Sequence, residues 1–527
     1  MKSRYPRMAP TGLQPMTLEA IEEDVLRGDF QGLSRAQDMP PEWDFRFRAA
    51  VSLVTGEGCA PADAPASLTS PAADGLADAA LLGLLQLNPT TARAAHARLA
   101  QSALPRATHL AQSWLSFFDE NHPDTLRQAS LGIDAAKRAK HASGIIECTA
   151  VLALAQLQAM DLDSALRLAR QASRMARTEG VLQREYLSNW VLARVRRSVG
   201  QPAAAIRVLN ALLRVVPAPW RALLHWELAL CGSLPDGDAD SPVVSAFVKA
   251  LLAPAATQGA FEEAARKLGS TVRGLGGVFA DLDDVLAAVY PALDTSKGAN
   301  ASAWIRGLST TVPPSLRGLV MPELGAQTMQ SGALVLAQPG RDPRLLLRHG
   351  TKFCASDQRA EELPLSKERT CRALSIVLLS GPKGIDELEL FRRVYGFEFV
   401  KGRHGGTFRT LVSRMRSELR SFGTLTRNEG RASIDVHAPM LVPDPRWMPE
   451  VNEMVLRALA ALGAGATART IAKQVGVSDR TVQRALRHLI DSGVCEAVGS
   501  SADTSYRFED TTFHQPTYAR LRAREGL

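Results

Sequence analysis

The chain has 527 residues, 46% of them hydrophobic, which is material for about three to five domains with ordinary cores. Its formal charge of +8 is not spread evenly. Residues 1–340 carry 32 Lys+Arg against 32 Asp+Glu, whereas residues 341–527 carry 30 against 22, so the basic excess belongs to the C-terminal third, as in a nucleic-acid-binding end joined to a neutral remainder.

Six cysteines lie scattered without CxxC or CxxH spacing and imply neither a zinc site nor a disulfide framework. The opening MKSRYPRMAPTGLQPM has no apolar core of a secretory signal, and no run approaches the ~18 apolar residues of a membrane helix. A cytoplasmic protein with no membrane partner is expected. The bias toward Ala, Arg, Leu and Gly suits a GC-rich bacterial genome.

Residues 1–56 predict an N-terminal helical segment. Thr17 is a cap, and Leu18, Ile21 and Val25 follow at helical spacing. A turn at Gly28–Gly32 and a break at Pro40–Pro41 precede apolar mass from Trp43, Phe45, Phe47, Ala50 and Val54. Residues 57–75 are rich in Ala, Pro and Ser and read as a linker.

Residues 76–232 keep helical periodicity with no convincing strand. Ala153, Ala165 and Ala172, then Ala193, Gly200, Ala205 and Pro217, recur at repeat-like spacing. These positions resemble the tetratricopeptide repeat. The resemblance implies a mainly α solenoid whose concave face binds a protein or peptide, or a second copy of the chain. Two features depart from that family: Ala165 and Ala205 are 40 residues apart rather than ~34, and Leu212 stands where a small residue is usual. A non-repetitive helical bundle stays open. Tyr186, Trp190, Arg194 and Arg197 fall on neighbouring turns of one helix and are candidates for the concave face, with Trp190 expected between helices. Residues 233–325 read as a further helical region broken by Pro and Gly.

Residues 326–438 change character. Short strands at 332–340 and 343–357 precede three helices: one capped at Ser366, one with Leu388, Phe391 and Val394 inward and ended by Gly396, and a third from Arg403 to Gly423. A hairpin turning at Asn428–Gly430 follows. On the third helix Phe408, Leu411, Val412, Met415, Leu419 and Phe422 make an apolar stripe, and Arg409, Ser413, Arg416 and Arg420 lie opposite. Eight basic and two acidic residues occupy 401–431, ending at Arg431. These residues are candidates for DNA contact. The Leu365–Glu368 opening, the Glu387–Tyr395–Gly396 segment and the Val412–Leu419 core resemble the effector domain of OmpR/PhoB-type response regulators. That implies a winged helix. Tyr395 replaces the family's Trp and no receiver domain precedes it, so control by aspartyl phosphorylation is not implied.

Residues 439–450 read as a Pro-rich connector, 451–512 as a C-terminal winged helix-turn-helix and 513–527 as a basic tail. Residues 468–475 and 478–491 predict two helices around Gly476. Val482, Ala485, Leu486 and Leu489 form one face of the second; Arg480, Thr481, Gln483, Arg484 and Arg487 form the other. The Ala472–Gly476–Val482 spacing, with a hairpin after it, resembles bacterial winged helix-turn-helix transcription factors and implies double-stranded DNA as partner. Gln483 and Arg480 suit base edges; Arg487 and Arg420 suit phosphates.

No phosphate-binding loop, HExxH, GxSxG or paired metal spacing is present, so neither enzyme activity nor a cofactor or metal is expected. The sequence thus points to a DNA-binding transcription regulator whose helical repeats sense or oligomerise. The rival is an interaction scaffold in which all domains bind protein.

Overall fold

The computed structural model describes residues 17–35, 39–235, 237, 239–252, 258–289, 301, 303–304, 312–319, 333–347, 360–363, 367–446, 450–463, 465–499 and 504–508. Ser366, Leu365, Cys354 and the 513–527 tail lie outside them. The chain is mainly α, with a few small sheets in its C-terminal third. Among the described residues no helix is long and apolar enough to cross a membrane, and no group of residues is placed to hold a metal.

Helix α1 (Leu18–Leu26) starts as expected, with Thr17 Oγ1 accepting from the Ala20 amide. Helix α2 (Pro41–Thr55) buries Phe45, Phe47 and Ala50. The expected linker at 57–75 is in fact anchored. Arg98 donates to the carbonyls of Pro61, Ala62, Ala64 and Pro65, Cys59 and Ala64 are buried, and helix α3 (Ser70–Leu85) already begins at Ser70. One guanidinium thus pins the segment around its short 3-10 turn, Pro61–Asp63.

Next come α4 (Pro89–Leu99), α5 (Pro105–Phe118), α6 (His122–Arg138), α7 (Ala142–Gln158), α8 (Leu162–Glu179), α9 (Leu182–Ser198), α10 (Pro202–Leu213) and α11 (Arg221–Leu230). Consecutive helices pack against one another, and one tight form recurs among their connections, in which a residue at positive φ precedes the next helix's cap: Leu87–Asn88, Glu120–Asn121, Lys140–His141, Met160–Asp161, Gly180–Val181 and Gly200–Gln201. The Asn, His and Asp side chains accept from the backbone amide three residues on, and so satisfy helix-terminal donors that would otherwise be orphaned. Asn121, Asp161 and Gln201 are spaced at the same 40 residues that separate Ala165 from Ala205.

Every residue of α9 is buried although the helix is rich in polar groups. Ion pairs compensate on both sides. Arg184 reaches Asp78 and Glu147; Arg194 and Arg197 reach Asp281 and Glu227. Tyr186, Arg194 and Arg197, which the spacing allowed on a concave face, are buried in the interior, and Trp190 is buried with them, as expected of a residue packed between helices. The occupant is the chain itself. Helices α12 (Pro242–Leu252), α13 (Gln258–Thr271) and α14 (Asp281–Val289) fold back so that Arg194 donates to Val278 O and Arg197 to Ser315 O. A pocket of about 260 Å³ remains at this junction, between His122, Gln158, Arg194 and Asp281. Its acids are engaged: Asp281 with the two arginines, Asp284 with Ser315 Oγ and the Ala301 amide.

The middle unit has strands β1 (Ala333–Ala337), β2 (Arg344–Leu347) and β3 (Glu361–Glu362), helix α15 (Glu368–Leu379), strand β4 (Ile385–Asp386), helices α16 (Glu387–Tyr395) and α17 (Lys401–Leu419), and strands β5 (Gly423–Asn428), β6 (Arg431–Val436) and β7 (Met440–Pro443). One sheet has the order β2-β1-β7-β3, the other β4-β6-β5. The segment 439–450 is therefore more than a connector. Met440–Pro443 is an internal strand, paired through Val442 with Val335, and beyond Pro443 the Asp444 amide still donates to Ala333 O of β1 at 2.9 Å. Asp444 and Arg446 then form a buried ion pair, with Arg446 Nη1 donating to Trp304 O.

The C-terminal unit has helix α18 (Val451–Leu462), strand β8 (Ala466–Thr467), helices α19 (Ala468–Val475) and α20 (Asp479–Asp491), and strands β9 (Cys495–Val498) and β10 (Ser505–Phe508) in the sheet order β8-β10-β9. Val455, Leu456, Leu459, Ile471, Val482, Leu486, Leu489, Val494 and Phe508 form its core together with Ala204 of α10.

Candidate nucleic-acid interface

In the middle unit the pair α16–α17 carries the candidate side chains. Asp386 caps α16 by accepting from the amides of Leu388 and Glu389 at 2.9 and 3.0 Å, and Gly396 ends it. The inward residues are Leu390, Phe391 and Val394. Leu388, expected inward, is exposed because it lies one position away from that stripe. An aromatic cluster that the periodicity did not reveal fixes the turn between the helices. The Phe391 ring lies 4.5 Å from Tyr395, 5.1 Å from Phe399 and 5.3 Å from His404, centroid to centroid. His404 Nδ1 accepts from the Val400 amide at 3.0 Å, so the turn also holds the start of α17.

Helix α17 buries Phe408, Leu411, Val412, Met415 and Leu419. Arg409, Ser413 and Arg416 are exposed opposite them, and their side chains hold no partner among the described residues. Arg420 is exposed too, but it sits past the last helical residue at φ 46°, so it leaves the register of the other three. Arg431 plays a different part. It donates to the carbonyls of Lys383 at 3.0 Å and Gly384 at 2.7 Å and so fastens the β4 turn to β6. Its neighbour Arg427 grips Glu387 with two hydrogen bonds. The hairpin's cations are thus held within the unit, and those of the helix are not. Arg414 is an exposed cation of α17 absent from the expected set; with Arg369, which lies over the Tyr395 ring at 5.1 Å, it opposes the upward pull of burial on the Tyr395 hydroxyl. It lies one residue outside the i, i+4, i+7 stripe, which is why spacing alone missed it.

The C-terminal unit is more regular. Thr467 and Thr470 form a reciprocal capping box at the start of α19. Gly476 ends α19 at φ 76°, a conformation that side-chain-bearing residues rarely take. Ser478 Oγ then caps α20 by accepting from the Thr481 amide at 3.3 Å. Thr481 is half-buried and its hydroxyl lies 2.8 Å from Ser478 Oγ, so it builds the cap. Val482, Ala485, Leu486 and Leu489 are buried. Arg480, Gln483, Arg484 and Arg487 are exposed, and none has a side-chain partner among the described residues. Arg480 and Gln483 stand in the first turns of α20.

The unit is seated on the helical array through its other elements. Glu453 of α18 accepts from the Ala203 amide at 3.2 Å and from Arg457 Nε at 2.9 Å. Burial pushes the Glu453 carboxyl up to about 7 against the pull of Arg457. Arg207 of α10 lies over the Phe508 ring at 4.8 Å. No family model matches the chain, and neither a curated protein nor a solved structure does so.

Proposed function

We propose that the chain is a sequence-specific double-stranded DNA-binding transcription regulator of the bacterial cytoplasm, with two tandem winged helices carried by a tetratricopeptide-like helical array. The observation that carries this reading is the state of α20. One face is the core of its unit, while the opposite face presents three arginines and a glutamine that have no side-chain partner among the described residues. Arg427 and Arg431 show how readily cations on these units find internal partners. Guanidinium and amide groups left facing water on a rigid helix match the donor and acceptor pattern of guanine and adenine in the major groove. The α17 face supports a second reading head, so one chain would recognise a long composite site.

The test is selection of bound sequences from a random double-stranded DNA pool. The full chain is compared with Arg409→Ala/Arg416→Ala and Gln483→Ala/Arg484→Ala. A composite motif that loses a different half in each variant is the expected result. Enrichment no better than salt-sensitive non-specific binding would sink it.

The scaffold reading, in which all domains bind protein, draws on one observation. Phe397 and Val400, in the turn between α16 and α17, are 49% and 54% exposed, an apolar turn beside an Arg-bearing helix that suits a protein contact by the middle unit.

A further inference from the structure

Helix α8 of the array carries a row of cations that none of the preceding readings uses. Arg167, Arg170, Arg174 and Arg177 follow at steps of three, four and three, which places them on one side of the helix. The opposite side, Ala165, Leu168, Ala169, Ala172 and Ala176, is buried in the array. Arg167, Arg174 and Arg177 are exposed. Arg167 reaches only Ser164 Oγ at 3.5 Å and Arg174 has no side-chain partner among the described residues, while exposed Arg177 forms an ion pair at 3.7 Å with the buried Glu185. An open groove of about 480 Å³ runs along this side, with Arg167, Arg170 and Arg174 in its wall.

The row's position matters as much as its charge. Arg170 lies directly against Gly493, two residues past the end of α20 and two before β9; a Cβ at Gly493 would overlap the Arg170 guanidinium. Arg487 is six residues back along the chain from Gly493, about 9 Å by helical rise. The row on α8 itself extends ten residues, about 15 Å, or the length along the axis of roughly four phosphates of one DNA strand.

We propose that α8 is part of the DNA-binding surface: Arg167, Arg174 and Arg177 contact the phosphate backbone beside the base pairs read by α20. The inference rests on the DNA-reading role of α20 and extends the site onto the array. The row carries no base-reading geometry of its own. Its charge complements phosphate, and its continuity with the end of α20 favours the same duplex over a separate partner.

The experiment measures affinity of the full chain for a duplex extended on both sides of the selected site, at a series of salt concentrations. Arg167→Ala/Arg174→Ala/Arg177→Ala is compared with Arg484→Ala/Arg487→Ala and wild type; all five side chains are exposed. In the α8 variant the slope of log K against log salt is expected to flatten by about two to three, one unit per phosphate contact. The selected motif stays unchanged, and backbone protection is lost on one flank only. An unchanged slope and unchanged flanking protection, with Arg484→Ala/Arg487→Ala still impaired, overturns the α8 surface and leaves the reading of α20 standing. If Arg484→Ala/Arg487→Ala binds like wild type while the α8 variant is weakened, the role of α20 fails and α8 binds DNA independently of it, which overturns the joint surface.

Discussion

The carboxylate of Glu453 accepts a hydrogen bond from the backbone amide of Ala203, 250 residues earlier in the chain. Helix α10 begins at Pro202 and has no side-chain cap of its own, because Gln201 makes no capping bond. A residue of the C-terminal unit therefore fills the role that Asn121 and Asp161 play for their own helices. The C-terminal unit is joined to the array by completing one of its helices.

Glu453 should make stability depend on pH. Burial raises its folded pKa to about 7, while the unfolded value is near the ordinary 4.5. Between these values the folded protein binds a proton that the unfolded chain has released, so stability rises as pH falls from 7 toward 4.5 and is lowest above 7. Arg457 and the Ala203 amide favour the carboxylate, and Glu450 opposes it. The full effect is at most about 3 kcal/mol. Urea unfolding of wild type and Glu453→Gln at pH 5, 6, 7 and 8 isolates this group, because His96, which burial holds down to about 3, contributes equally to both proteins. The stability difference should shift toward Glu453→Gln by up to that amount as pH rises. A difference independent of pH would show that Glu453 is not buried as a titrating carboxyl.

Asp78 should be the costliest single acid to remove from the array. It accepts from both Arg46 and Arg184, and all three side chains are almost fully buried. Arg184 continues to Glu147, which accepts from Trp114 Nε1 at 3.0 Å, so the network ties α2, α3, α5, α7 and α9 together. Asp78→Asn leaves Arg46 with only Glu22 and Arg184 with only Glu147 as charged partners, a loss of up to about 3–5 kcal/mol for a broken buried pair. Thermal unfolding followed by circular dichroism should show a large drop in Tm. A change within the scatter of surface substitutions would mean that water reaches the network.

Ser478→Ala should weaken DNA binding without changing its sequence preference. The hydroxyl caps α20 and holds Thr481, yet neither group belongs to the unpaired outer row. Loss of a cap costs about 1 kcal/mol and frays the first turn, where Arg480 and Gln483 stand. The selected motif should stay the same while affinity falls several-fold. A changed motif would instead make Ser478 or Thr481 a direct reader of bases.

The helices of the two C-terminal units were legible because their signals are local. Gly476 and Ser478 act within a few residues, and the stripe Val482–Ala485–Leu486–Leu489 repeats at helical spacing. The 40-residue period was visible from Ala165 and Ala205, although the αL-and-cap loops behind it were not, since Glu120 and Met160 carry no turn signature. What escaped the sequence depends on distant partners. Polar α9 is buried because Asp281 and Glu227 meet its arginines, and Met440–Pro443 is a strand because β1 lies beside it. Arg431 reads like any exposed cation until Lys383 and Gly384 come within reach of it.

Gly476 and Gly493 offer a matched comparison. Both have positive φ, 76° and 58°, so Ala at either position adopts a strained backbone at a cost of about 1–2 kcal/mol. Their surroundings differ: a Cβ at Gly476 meets open space, whereas one at Gly493 meets the Arg170 guanidinium. Gly476→Ala should therefore show the backbone cost alone. Gly493→Ala should cost more, because the tip of Arg170 must move and the seat of the C-terminal unit on α8 loosens. Arg170→Ala/Gly493→Ala should recover that excess, since the obstructing group is gone, and the coupling between the two sites is what a double-mutant cycle reads. Denaturant unfolding of the four variants supplies the numbers. Additive effects of Arg170→Ala and Gly493→Ala would place Arg170 away from Gly493 in solution, and would separate α20 from the cationic row on α8.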